Sequence, residues 1–163
     1  MSNQFYTDMY KYAKLSSSLT GIPPEVILGQ WALESNYGQS DLARRGNNFA
    51  GIKSSSKGKD FVTGQYAGYF TKSSFAKDYA RVMNLPYYDG VRGAGNVQGA
   101  IAELGKSPYA EDPNYSNKLA SKVKELTGLD FSNISDLVTD GEGKINFVGW
   151  ALGCFGVWFL LFR

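Results

Sequence analysis

The sequence predicts an α+β domain that is mostly helical, with a small β insertion, followed by a linker and a C-terminal transmembrane helix. Three observations predict it. Apolar residues recur at helical spacing through most of residues 5–128. One stretch, Asp60 to Phe70, instead carries β-type residues punctuated by Gly64 and Gly68. The last 18 residues before Arg163, Ile145 to Phe162, carry no charge. The boundaries follow as a domain over 1–129, a linker over 130–144 and a membrane helix over 145–162.

Phe5, Met9, Tyr12 and Ala13 set the stripe of the opening helix, which Ser16-Ser17-Ser18 and Gly21 are expected to interrupt. Pro23-Pro24 starts the next helix, where a missing N–H costs nothing. Val26, Ile27, Trp31 and Leu33 form its apolar side, and Gly38 is its expected left-handed stop. A helical turn over 40–45 and a turn at Gly46-Asn47-Asn48 follow, then a strand over Phe49 to Lys53. Ser54–Lys59 reads as a polar loop and Asp60 to Phe70 as a twisted hairpin. Ser73 is the expected cap of a helix carrying Phe75, Tyr79, Val82 and Met83, which Asn84 and Pro86 end. Asn96 caps another, with Val97, Ile101 and Leu104 inward and Gly105 closing it. Asp112-Pro113 opens the last helix of the domain, with Tyr115, Leu119, Val123 and Leu126 inward and Gly128 at its end.

Composition narrows the chemistry. The chain has no histidine and a single cysteine, Cys154. A Ser-His-Asp or Cys-His site, a His-ligated metal and an internal disulfide are excluded. Acid–base work must come from Asp, Glu, Tyr or Lys, and no metal or cofactor is implied. A net charge of +2 gives no argument for nucleic acid. The polar, tyrosine-rich first 22 residues show no apolar signal-peptide core.

Glu34 stands out. It follows Ile27, Gln30 and Trp31 at spacings that share one helical face. A carboxyl on an apolar face beside an indole is expected to be desolvated, which favours the protonated form. Glycoside cleavage needs such a proton donor. The competing reading is a solvated glutamate near a helix end.

Ala32-Leu33-Glu34-Ser35-x-x-Gly38-x-Ser40, followed by Asn47-Asn48-Phe49-Ala50-Gly51-Ile52-Lys53, resembles the glucosaminidase domain of bacterial and phage peptidoglycan hydrolases. That family includes the muralytic domain of flagellar rod-assembly proteins. Tyr69-Phe70 through Ser73-Ser74-Phe75 to Tyr79 is similar to its next segment. Tyr109-Ala110-Glu111-Asp112-Pro113-x-Tyr115-x-x-Lys118-Leu119 is similar to its late signature. The blocks fall in the family's order across about residues 5–128. The "GLMQ" continuation of lytic transglycosylases is absent.

The resemblance implies a lysozyme-like, two-lobed domain with Glu34 as general acid. It puts Tyr109 and Tyr115 on the family's tyrosine positions near the cleft, Tyr109 positioning substrate and Tyr115 on the inner helical stripe. Trp31 is expected to pack beside Glu34 and, with Asn48, Gln65, Tyr66 and Tyr115, to line the substrate. Asn47 and Asn48 are also read as fixing the turn, and Lys53 as solvated. Many members carry a second glutamate where this chain has Gln65, in Val62-Thr63-Gly64-Gln65-Tyr66. An amide cannot serve as base or carboxylate nucleophile. Three routes remain: Asp60 from the same loop, the substrate's own N-acetyl group oriented by Gln65, or attack by the sugar 6-hydroxyl to give an anhydro product.

The expected function is therefore a membrane-tethered glycosidase cutting β-1,4 bonds of peptidoglycan, N-acetylglucosaminidase-like, for phage entry or lysis. The alternatives are a lytic transglycosylase or muramidase of the same fold, or a non-catalytic peptidoglycan-binding or virion membrane protein. The expected partners are glycan strands and a bilayer spanned by 145–162, about 27 Å of helix. Trp150 and Trp158 would be interfacial anchors, and Gly149 and Gly153 a site of helix self-association. The expected location is a phage internal membrane or the host inner membrane, with the catalytic domain facing the wall.

Overall fold

A computed structural model describes residues 2–107 and 112–128. The expected membrane helix over 145–162 and Tyr109 lie outside the described residues. Among those described, no helix is long and apolar enough to cross a membrane.

Helix α1 (Ser2–Thr20) buries Phe5, Met9 and Ala13. It runs unbroken through the serines expected to interrupt it. Their hydroxyls turn back on the helix or reach across it. Ser18 Oγ donates to the Leu15 carbonyl at 2.8 Å and Thr20 Oγ1 to that of Ser16 at 2.9 Å. Ser16, itself buried, donates to the Ala76 carbonyl at 2.8 Å and ties α1 to α4 (Lys72–Met83). Gly21, at φ +78°, ends the helix.

Helix α2 (Pro24–Ser35) is the centre of the molecule. Pro24 opens it as expected. Every residue from Val26 to Ala32 is buried, so it is a core helix enclosed on several sides rather than a one-faced amphipathic one. Helices α1 and α7 (Tyr115–Thr127) pack on it. Gly29 makes the α7 contact close: a Cβ there would meet Val123 Cγ2 at 2.5 Å. The helix stops at Asn36, not Gly38, because three successive residues turn left-handed: Asn36 (φ 49°), Tyr37 (φ 55°) and Gly38 (φ 78°). Asparagine tolerates that region through its short polar side chain. Tyr37 is held there from outside. Its ring meets Phe5 edge-on, and its hydroxyl donates to Glu125 and accepts from Lys122 at 2.6 Å.

Helix α3 (Asp41–Gly46) begins at Ser40, whose hydroxyl accepts from Ala43 N. No strand forms over residues 49–53, contrary to expectation; Lys53 contributes one isolated bridge to Tyr66. Ala67 N donates to the Ile52 carbonyl at 2.8 Å, and the backbone groups around that contact are held by Asn48. Its Nδ2 donates to the carbonyls of Ile52 (2.8 Å) and Ala67 (2.9 Å), and its Oδ1 accepts from Ala50 N and Ile52 N. The hairpin is present as antiparallel β1 (Phe61–Thr63) and β2 (Tyr66–Gly68), with Phe61 opposite Gly68 and Thr63 opposite Tyr66.

Helix α4 (Lys72–Met83) is capped by Thr71, two residues before the expected Ser73; Thr71 Oγ1 accepts from Ser74 N at 3.0 Å. A 3₁₀ turn over Pro86–Tyr88 and the short α5 (Asp89–Gly93) follow. Helix α6 (Val97–Lys106) is capped by Asn96 as expected. It passes through Gly105 instead of ending there, because at that point it presses against Ser116 of α7. At α7, the Asp112 carboxylate accepts from Asn114 N at 2.8 Å, one turn ahead of the helix, and Gly128 closes it at φ +74°. The result is a mostly helical α+β domain with one two-stranded sheet.

Candidate active site

The last turn of α2 brings Glu34 to the surface beside α7. Its carboxylate is exposed, not dry as the sequence suggested. What lies beneath Glu34 is polar and buried. The Tyr115 hydroxyl, on a side chain only 7% exposed, donates to Glu34 Oε1 at 3.4 Å. Gln30, one turn back on α2, is fully buried, and its Oε1 accepts from the Tyr79 hydroxyl of α4. The Gln30 amide also faces the Tyr115 hydroxyl.

Burial raises the Tyr115 hydroxyl well above the usual phenol range, and the Glu34 charge raises it further. Tyr79 is pushed up by the same two causes in the same order. Both phenols therefore stay protonated and remain donors. Three helices thus deliver one exposed carboxylate resting on two buried hydroxyls and an amide. Such a carboxyl can give a proton to, and take one from, a group lying above it.

Three further findings bear on what this arrangement is. A family model described as glucosaminidase, mannosyl-glycoprotein endo-beta-N-acetylglucosaminidase, matches residues 10–128. The chain belongs to the glucosaminidase family. Peptidoglycan hydrolase FlgJ of Salmonella typhimurium is 31% identical over 150 residues, covering 78% of this chain and 47% of the relative. Exo-glucosaminidase LytG of Bacillus subtilis is 26% identical over 141 residues, covering 74% of this chain and 50% of the relative. The chain thus spans about half the length of these curated relatives. Among solved structures, the glycoside hydrolase domain of Salmonella typhimurium FlgJ superposes with a TM-score of 0.66 at 27% identity, covering 78% of this chain and 89% of that one. The lysozyme-like glycoside hydrolase fold is therefore that of the described domain.

Within this glucosaminidase domain the other expected site residues scatter. Trp31 is 0% exposed and packs on Phe75 (4.8 Å) and Tyr79 (5.2 Å). It is a core residue, and the substrate contact expected of it is corrected to packing. Asn48, 1% exposed with its amide spent on backbone, has no group left for sugar; the turn-fixing reading is the right one. Lys53, expected to be solvated, is 2% exposed, with Nζ 4.0 Å above the Tyr66 ring. Tyr66 is half-buried under that contact, and Gln65 is exposed at the hairpin turn. Asp60 is exposed, but its Oδ2 accepts from Phe70 N at 2.8 Å, closing the base of the hairpin.

Sequence reasoning missed how Gln30 and Tyr79 serve the site. The signal was present in Gln30, an amide one turn before Glu34 amid apolar neighbours. A buried amide needs partners, and Gln30 Oε1 finds one in the Tyr79 hydroxyl of α4.

Proposed function

We propose that this chain cleaves the β-1,4 bonds of peptidoglycan glycan strands as an N-acetylglucosaminidase, with Glu34 as general acid. One observation carries the reading: an exposed carboxylate at the end of a buried helix, hydrogen-bonded by Tyr115 and backed by Gln30 and Tyr79. The names of the relatives support the substrate class.

In this mechanism Glu34 gives its proton to the glycosidic oxygen as the C1–O bond breaks. With Gln65 in place of an acid and Asp60 bound to Phe70 N, the substrate's 2-acetamido oxygen closes on C1, positioned by Gln65. Water then attacks C1 and gives a proton back to Glu34, which restores the starting state. Tyr109 of the late signature is proposed to orient the sugar at the same point.

We further propose that residues 145–162 tether the enzyme to a membrane, as suits a phage entry or lysis protein. The support is the uncharged run bounded by Trp150 and Trp158.

Digestion of purified peptidoglycan by the full chain tests the activity, with new ends identified by mass spectrometry after borohydride reduction. Reduced N-acetylglucosamine ends are expected, and Glu34→Gln should lower release by at least about a hundredfold. Anhydro-muramic ends would make the chain a lytic transglycosylase instead. A folded wild-type chain that releases nothing would leave a tethered glycan binder.

A further inference from the structure

The hairpin carries an aromatic surface with no role in the site described so far. Phe70 is 75% exposed, the most exposed large hydrophobic side chain among the described residues. Its ring lies 5.3 Å from that of Phe61, with 30° between the planes. This pair is held in place by the backbone around it. Phe61 stands opposite Gly68 in the β1–β2 register, and its ring lies across the Gly68 α-carbon, where any Cβ would collide with it. Glycine is needed there for the ring to lie flat. The Phe70 end is pinned by Asp60: its carboxylate accepts from Phe70 N at 2.8 Å while its own N–H donates to the Gly68 carbonyl at 3.0 Å.

The hairpin itself carries no charge; the Asp60 carboxylate beside Phe70 is spent on that residue's N–H, and the Lys53 ammonium against Tyr66 is buried. From Phe61 to Thr71 there is no ionisable acid or base other than the tyrosine hydroxyls. Thr63 and Tyr66, a directly opposed pair two positions along, share a strand face with Phe61. The face is therefore two aromatic rings beside hydroxyls, next to the Gln65 turn. An anionic polymer or membrane surface would call for cations at this place. A neutral sugar ring has one apolar face of C–H groups and a polar edge, and it matches in both respects.

Building on the glycosidase reading above, we propose that Phe70, backed by Phe61, is a stacking platform for one N-acetylhexosamine ring of the glycan strand, away from the bond that is cut. Asp60 is the positioning residue that fixes this platform and takes no part in proton transfer.

Steady-state kinetics of the full chain on soluble glycan strands stripped of peptide test it. Phe70→Ala should raise KM roughly tenfold with kcat within about twofold of wild type, and Phe70→Trp should restore KM. Because Phe70 is exposed, its melting temperature should not move. Val62→Ala, at an exposed apolar residue on the opposite strand face, should leave KM unchanged. Asp60→Asn should raise KM in the same direction and keep the shape of the pH–rate profile. An active wild type whose KM is indifferent to Phe70→Ala would overturn the platform and leave the glycosidase reading standing. Loss of kcat by about a hundredfold or more in Asp60→Asn would return that residue to catalysis and overturn its assignment. A wild-type chain that neither binds nor cuts these strands would overturn the glycosidase reading and the platform with it.

Discussion

Replacing Tyr115 by phenylalanine removes one oxygen and keeps the buried ring, so it isolates what the hydroxyl does for Glu34. The hydroxyl donates to Glu34 Oε1 at 3.4 Å, the long end of hydrogen-bonding range. Hydrogen bonds to charged groups contribute about 1.5–3 kcal/mol net, and a long one falls toward the lower end, about 1–2 kcal/mol. If that contact steadies the carboxylate as it gives up and regains its proton, kcat should fall about five- to thirtyfold. The ring stays packed, while the buried Gln30 amide loses the hydroxyl it faces, so a destabilisation of about 1 kcal/mol is expected beside the kinetic effect. The Tyr115 hydroxyl is raised well above the usual phenol range by burial and then by the Glu34 charge, so it stays a donor at any working pH. The loss should therefore be the same across the pH profile. The assay is the rate of new reducing ends from peptidoglycan, alongside a thermal melt of the same preparation. A kcat within twofold of wild type, or a loss confined to alkaline pH, would refute the reasoning.

Asn48→Ala should destabilise the domain by about 2–4 kcal/mol in urea unfolding, since it strands the Ala67 carbonyl and two N–H groups at once, while the Ile52 carbonyl keeps Ala67 N; a loss under about 1 kcal/mol would show that the loop finds other partners. Glu125 is held below the usual carboxylate range, first by the Tyr37 hydroxyl bond. A depressed folded value means that this contact stabilises above the ordinary glutamate range, about pH 4.3, and the gain is lost as pH falls through the lower folded value. The melting temperature of Glu125→Gln should thus lie below wild type at neutral pH and converge with it in acid, whereas a constant gap would contradict the linkage. Removing residues 145–163 should release the chain from carbonate-washed membranes; a truncated chain that stays bound would place the anchor elsewhere.

Much of the fold was legible because its signals are local. Pro24, Asn96 and Gly128 mark helix ends by their own backbone preferences, and the structure uses each as expected. The misreadings share one cause, a tertiary partner that the local pattern does not contain. The serines of α1 break nothing because Ser16 finds the Ala76 carbonyl on another helix. Residues 49–53 look like a strand because they are largely apolar and buried, yet they meet β2 only around the Lys53–Tyr66 bridge, and Asn48 takes the Ala50 and Ile52 N–H groups. Lys53 reads as solvated until the Tyr66 ring covers it.

The acid itself shows the same limit from the other side. Helical spacing correctly put Gln30 and Glu34 in line, but spacing alone assigns both to one apolar face. The structure separates them: Gln30 is sealed in the core and Glu34 is exposed one turn later. A buried amide and two buried phenols are costly to keep in a core unless they bond one another. Here the Tyr79 hydroxyl donates to Gln30, and the Tyr115 hydroxyl, at the outer end of the set, donates to the exposed Glu34. The Tyr115 hydroxyl steadies the Glu34 carboxylate from the core side. For a glycosidase an exposed acid loses more of its water when the glycan strand lies against it, so desolvation of Glu34 accompanies binding.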